Sequence, residues 1–191
     1  MLAAMPITPD ELLARLATLG ISVVTYDHPP VFTVEESKVL RGKLPGGHCK
    51  SLFLKDKADR VWLVVALEDR AIDLKALRRR LGARKTLSFG SPELLMELLG
   101  VIPGSVTPFG AINDHAGRVQ VVLDRNMLSH DPLNYHPLTN SRTTAIAPAD
   151  LLKFLRACGH EPLVLDFDAE PETASVGADA LASAPGSGHL Q

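Results

Sequence analysis

Seven consecutive apolar residues, Val61-Trp62-Leu63-Val64-Val65-Ala66-Leu67, constrain this chain more than any other feature. The run is far too short to span a bilayer. Side chains along a strand alternate between faces, so a strand that is apolar at every position belongs in the interior of a sheet. The turn Lys55-Asp56-Lys57-Ala58-Asp59-Arg60 joins it to a preceding strand over residues 49–54. Further strands are expected over 21–26, 86–89, 106–112, 119–123, 143–146 and 163–167, with Asp114-His115-Ala116-Gly117 as a hairpin turn between two of them.

Helix signals fall between these strands. Thr8-Pro9-Asp10-Glu11 supplies an N-cap, a first-turn proline and a glutamate that reaches back; Leu12, Leu13, Leu16 and Leu19 follow as a stripe, and Gly20 stops it. Similar punctuation predicts helices over 33–40, 73–81, 91–99 and 148–158, with Gly82 and Gly100 closing the second and third of these. The sum is an α/β (α+β) fold: a mixed, partly closed sheet of about seven strands with helices packed outside. One domain over 1–168 is expected. Residues 169–191, rich in Ala, Gly, Ser, Pro and Glu and poor in large apolar residues, read as a disordered acidic tail.

Composition narrows function only slightly. The net charge is −2, but residues 1–90 hold 15 Lys+Arg against 10 Asp+Glu (+5), and residues 91–191 hold 5 against 12 (−7). A basic half suits a few phosphate contacts; equally, Arg78, Arg79 and Arg80 fit a solvated helix face. The expected location is cytoplasmic, with no signal segment and no membrane partner. Two cysteines, Cys49 and Cys158, are too few for a disulfide framework.

Catalytic motifs are scarce. No His-x-x-x-His or Cys-x-x-Cys spacing exists, so no metal is expected; no Gly-x-Ser-x-Gly, Gly-x-Gly-x-x-Gly or Walker loop exists either, so no cofactor is expected. Cys49, between His48 and Lys50, fits a core-facing strand residue better than a thiolate nucleophile. Three polar segments stand out instead: Pro45-Gly46-Gly47-His48-Cys49-Lys50-Ser51, Gly100-Val101-Ile102-Pro103-Gly104-Ser105, and Asn134-Tyr135-His136-Pro137-Leu138-Thr139-Asn140. Each pairs polar groups with Gly or Pro turns, as loops around one pocket would. Lys50, at the mouth of a strand, can bind a carbonyl, carboxylate or phosphate, though a snorkelling edge lysine has the same signature.

The segment 45–56 resembles the lysine segment of the prolyl-tRNA editing domains, the YbaK-like or INS superfamily. Asp27-His28-Pro29-Pro30-Val31-Phe32, residues 100–110 and residues 134–145 resemble other segments of its free-standing ProX branch, in the same order, over roughly 8–168. The resemblance implies hydrolysis of the ester of a mischarged tRNA(Pro), alanyl-tRNA(Pro) first, in partnership with prolyl-tRNA synthetase. Cysteinyl-tRNA(Pro) is an alternative substrate, and a non-catalytic nucleic-acid-binding module an alternative use of the fold. By the same resemblance Lys50 polarises the substrate, and backbone N–H groups of Gly100, Val101, Ile102, Pro103–Ser105 cradle the ester. His136, Val101, Ile102 and Phe109 wall the aminoacyl pocket, Asn140 joins the substrate contacts, and the neighbouring ribose hydroxyl helps the attacking water. Family members often carry Asn after the lysine; here Ser51 keeps a donor and an acceptor but loses reach. Arg79, Arg80, Arg84 and Lys85 are the expected acceptor-stem contacts.

Overall fold

A computed structural model describes residues 5–30, 36, 38, 39, 42 and 44–169. The expected tail beyond 169 and most of the expected helix over 33–40 lie outside the described residues. Among the described residues eight strands form one mixed sheet: β1 (Val24–Asp27), β2 (Gly47–Lys55), β3 (Val61–Leu67), β4 (Ser88–Phe89), β5 (Val119–Asp124), β6 (Leu133–Tyr135), β7 (Arg142–Ile146) and β8 (Leu163–Leu165). Their spatial order is β1-β7-β6-β2-β3-β5-β8, with β4 added beside β2. Pairings β2/β3, β6/β7, β1/β7 and β2/β4 are antiparallel; β2/β6, β3/β5 and β5/β8 are parallel.

The seven-residue apolar run becomes β3, between β2 and β5, and both its faces are covered. Val61, Leu63 and Val65 join the larger core with α1 (Pro9–Thr18), α3 (Pro92–Leu99) and α4 (Pro148–Ala157). Trp62 and Val64 join a smaller cluster with Leu54, Val122 and Leu77 of α2 (Leu74–Arg80). The capping box at α1 forms as its sequence predicts: Thr8 Oγ1 accepts from the Glu11 N–H at 3.2 Å, and Glu11 accepts from the Thr8 N–H at 2.6 Å. Among the described residues no helix is long and apolar enough to cross a membrane.

Two expectations are corrected. Residues 106–112 are not a strand; Pro108–Asn113 is a 3-10 helix capped by Thr107, whose hydroxyl accepts from the Phe109 N–H at 3.3 Å. Pro108 has no N–H for a ladder. Gly110 packs so tightly that an added Cβ would lie 2.9 Å from the Leu99 Cβ, a contact that favours the tight coil. Asp114 to Gly117 therefore leads from this coil into β5 and is not a hairpin. The second correction is β6, a three-residue strand that was not expected; it carries the third polar segment and pairs in parallel with the first.

Candidate active site

β2 and β6 run in parallel, with Gly47 opposite Leu133 and His48 opposite Asn134. That pairing joins two segments 86 residues apart. Following the two chains in the same direction, two residues on, leads to Lys50 and His136. Cys49 and Tyr135 both pack toward the larger core, so alternation turns Lys50 and His136 to the other face. Gly46, at φ +96°, makes this approach possible, since an added Cβ would collide with the Pro132 carbonyl. The Pro132 oxygen accepts from the Gly47 N–H at 2.8 Å.

His136 is half-buried, and its Nδ1 donates to the Arg142 carbonyl at 3.1 Å, which leaves Nε2 as the acceptor. Burial holds its pKa below the ordinary histidine value; the Arg142 carbonyl pulls the other way, the nearby His28 depresses it further, and Glu68 opposes. His28 is pinned at both nitrogens, Nδ1 to the Pro29 carbonyl at 2.8 Å and Nε2 to the Thr143 hydroxyl at 2.9 Å. Arg142 links this rim to α1 and β1 through Asp10 at 2.7 Å and Asp27 at 2.9 Å. The ammonium of Lys50 donates to the main-chain carbonyl of Arg70. Buried Asn134 donates its amide to the Pro45 and Gly47 carbonyls at 2.9 and 3.2 Å, while its Oδ1 has no hydrogen-bond partner among the described residues.

The glycine loop is built as a stop and a turn. Gly100 ends α3 in the left-handed region at φ 66°, ψ 26°, and its N–H donates to Met96 at 3.1 Å. A side chain there would also strike Asn113 and Pro6, each at 2.6 Å. Ile102-Pro103-Gly104-Ser105 closes with Ser105 donating to Ile102 at 3.0 Å, Pro at the second place and Gly104 at φ 91° in the third. Gly100 and Ser105 thus spend their amides internally and Pro103 has none. Ile102 and Gly104 are the exposed residues of this turn that carry an N–H.

The remaining expected residues distribute unevenly. Val101 is 2 % exposed and Phe109 0 %, packed edge-on against Tyr135 and Phe154 with ring centroids 6.0 and 5.4 Å apart. Both are core residues and offer no surface as pocket walls; Ile102, at 58 % exposed, does. Ser51 pairs with Val65, and alternation turns it to the face away from Lys50. The loop at Gly100 and Val101 attaches to the larger-core side of the sheet, and Lys50 lies on the α2 side. Pro6 and Ile7 against Gly100 and Asn113, then Asp10, Arg142 and His136, connect the two sides around the rim. Asn140 is half-buried in the β6–β7 turn.

Of the basic candidates, Arg79, Arg84 and Lys85 are exposed. Arg80 is engaged, donating to the Asp166 carbonyl at 2.6 Å and lying over the Phe167 ring at 5.9 Å. Burial pushes the Cys49 thiol up to about 12, so it remains protonated and is no nucleophile at neutral pH. His28 and Asn134 lie inside the segments 27–32 and 134–140 with no role assigned to them there, and Glu68 and Arg70 stand in the turn after β3, outside any metal or nucleophile pattern.

Residues 28–154 match the family model described as the aminoacyl-tRNA editing domain. The chain is 41% identical over 162 residues to prolyl-tRNA synthetase associated domain-containing protein 1 of Mus musculus, covering 83% of this chain and 95% of that protein. It is 37% identical over 152 residues to the prolyl-tRNA editing protein ProX of Acetoanaerobium sticklandii, covering 79% and 92%. A solved structure of a candidate trans-editing enzyme for prolyl-tRNA synthetase superposes with a TM-score of 0.64 at 22% identity, over 85% of this chain and 98% of that one, and confirms the fold. With that fold, and with the lysine and His-Pro segments side by side, the chain belongs to the aminoacyl-tRNA editing domain family of prolyl-tRNA editing proteins.

Proposed function

We propose that this protein is a trans-acting deacylase that hydrolyses the ester of alanyl-tRNA(Pro), proofreading for prolyl-tRNA synthetase. The observation that supports the reading is the parallel register of β2 and β6, which sets Gly47 against Leu133 and His48 against Asn134, two residues before Lys50 and His136. An aminoacyl ester is already activated, so positioning, charge and a water suffice and no covalent nucleophile is required. Lys50 has two N–H groups beyond the one given to Arg70, and these meet the ester carbonyl or the neighbouring phosphate. His136, neutral with Nε2 as an acceptor, borders the amino-acid pocket and accepts a proton or hydrogen bond from water or the substrate's ammonium. The turn over residues 102–105 attaches to the opposite face of the sheet and is not part of this contact set.

Selectivity follows from size. A synthetase pocket shaped for proline cannot strongly reject alanine by missing contacts alone, so a second site that excludes proline by clash completes the discrimination. Exposed Arg79, Arg84 and Lys85 supply phosphate contacts for the acceptor stem. A deacylation panel of alanyl-, cysteinyl-, seryl- and prolyl-tRNA(Pro) tests the reading. Hydrolysis of the alanyl ester with sparing of the prolyl ester is expected. Preference for the cysteinyl ester would move the substrate, and inertness toward all four would point to a binding module.

A further inference from the structure

The carbonyl that receives the Lys50 ammonium belongs to a residue held with unusual redundancy. Arg70 stands in the turn after β3, its N–H donating to Leu67 at 3.0 Å. Its guanidinium is 15 % exposed and lies between two carboxylates. On the inner side Nε donates to Asp124 Oδ2 at 3.2 Å; Asp124 is fully buried at the end of β5, and its Oδ1 accepts from the Asn126 N–H at 3.2 Å. On the outer side Nη1 and Nη2 donate to the two oxygens of Asp168 at 2.5 and 2.8 Å, a bidentate fork. β3, β5 and β8 are mutually parallel neighbours, so the turn bearing Arg70, the end of β5 and the segment after β8 meet at one edge of the sheet.

A buried arginine–carboxylate pair is not in itself a source of stability, because desolvation offsets its attraction. What it does supply is geometry. Two carboxylates from two different elements fix one guanidinium, and with it the main chain that presents the carbonyl to Lys50. We infer that Asp124, Arg70 and Asp168 are positioning residues for the Lys50 ammonium, a clamp that touches no substrate and sets where that ammonium stands. The inference rests on the reading of Lys50 as the group that meets the ester. Held on a fixed carbonyl, the lysine keeps one rotamer and aims its two remaining N–H groups; released, it becomes a mobile rim charge.

The test uses the full chain and two readouts. Deacylation of alanyl-tRNA(Pro) gives kcat and KM. The rate at which an amine-reactive reagent labels Lys50 relative to Lys55, followed by peptide mass spectrometry, reports the clamp without any substrate. Arg70→Ala is expected to lower kcat about ten- to hundredfold with KM little changed, the scale of loss when a reacting group is misplaced, and to speed Lys50 labelling severalfold. Asp168→Ala removes an exposed partner and leaves the fold intact, so it decides the matter should Arg70→Ala fail to fold. It should lower kcat by a smaller factor, and Asp168→Glu should restore it. Unchanged kcat and unchanged labelling in Asp168→Ala and folded Arg70→Ala, beside an inactive Lys50→Ala, would overturn the clamp and leave the function standing. A fully active Lys50→Ala would instead overturn the role of Lys50, while labelling still reports whether the clamp holds it.

Discussion

The two ends of β2 treat polar groups in opposite ways. At the Lys55 end, Asp56 is nearly fully buried and saturated: it accepts from the N–H groups of Ala58, Arg60 and Arg84 at 2.8, 3.1 and 2.8 Å and from the Arg60 guanidinium at 2.8 and 3.0 Å. Burial pushes its pKa up, and these donors together outweigh burial and hold it well below the carboxylate range. Arg60 also covers Trp62 at 5.2 Å, beside a hollow of about 520 Å³ that Arg80 and Arg118 help to line. At the Lys50 end, each group makes fewer bonds than it can. Among the described residues His136 keeps a free acceptor nitrogen by tautomer, Lys50 has donors to spare, and Asn134 Oδ1 has no partner. Saturated polarity fixes a turn; unsaturated polarity, held on main-chain carbonyls, is what a substrate can use.

That contrast can be broken most sharply by exchanging the damage. Lys50→Ala should lower deacylation by about a hundredfold or more, as loss of a charge-stabilising group does, with the thermal midpoint nearly unmoved. Asp56→Ala should do the reverse, lowering the midpoint markedly while the surviving folded fraction keeps its kcat. If Asp56→Ala were selectively inactive, the division between the two ends would fail. Within the core, Phe109→Ala should cost about 3–5 kcal/mol in denaturant unfolding, since the ring is wholly enclosed. A cost under about 1 kcal/mol would return Phe109 to the pocket wall.

Smaller effects sharpen the rim itself. His136→Ala should raise hydrolysis of prolyl-tRNA(Pro) by roughly tenfold, the worth of one or two buried methylenes of exclusion; unchanged selectivity would remove it from the sieve. Because His136 titrates below the ordinary value of about 6.5, the acid limb of the kcat profile should lie below that pH and vanish in a His136→Asn variant. The same depression means the unfolded chain binds this proton more readily, so stability should fall as pH drops from about 6.5 toward the folded value. Least of all, Arg79→Ala and Arg84→Ala should each raise KM by about twofold at low salt, a difference that disappears at high salt.

Much of the framework is legible in the sequence. The apolar run at 61–67 places the central strand because seven apolar side chains leave no face for water. The Thr8 box and the stop at Gly100 wrote their own helix ends in local hydrogen bonds. Residues 106–112 misled because their apolar content imitates a strand, while Pro108 and the close approach of Gly110 to Leu99 decide otherwise. β6 escaped notice because Leu133, Asn134 and Tyr135 are too few to show a period, and a polar residue at their centre hides the burial. Lys50 and His136 were found through their flanking segments. Arg70, Asp124 and Asp168 were not, since nothing in two turns and a strand end announces that two carboxylates share the one guanidinium.

The parallel join between β2 and β6 has a consequence for when this molecule becomes competent. Partners 86 positions apart must meet before the rim exists, and β7 must then flank β6 to hold it. Local helices and the β2–β3 hairpin can form early, but a pairing of such long span is late and slow to close. A nascent chain still lacking β6 and β7 would therefore be well folded in places yet without the rim, and the rim would gain its last support only when Asp168 has been made.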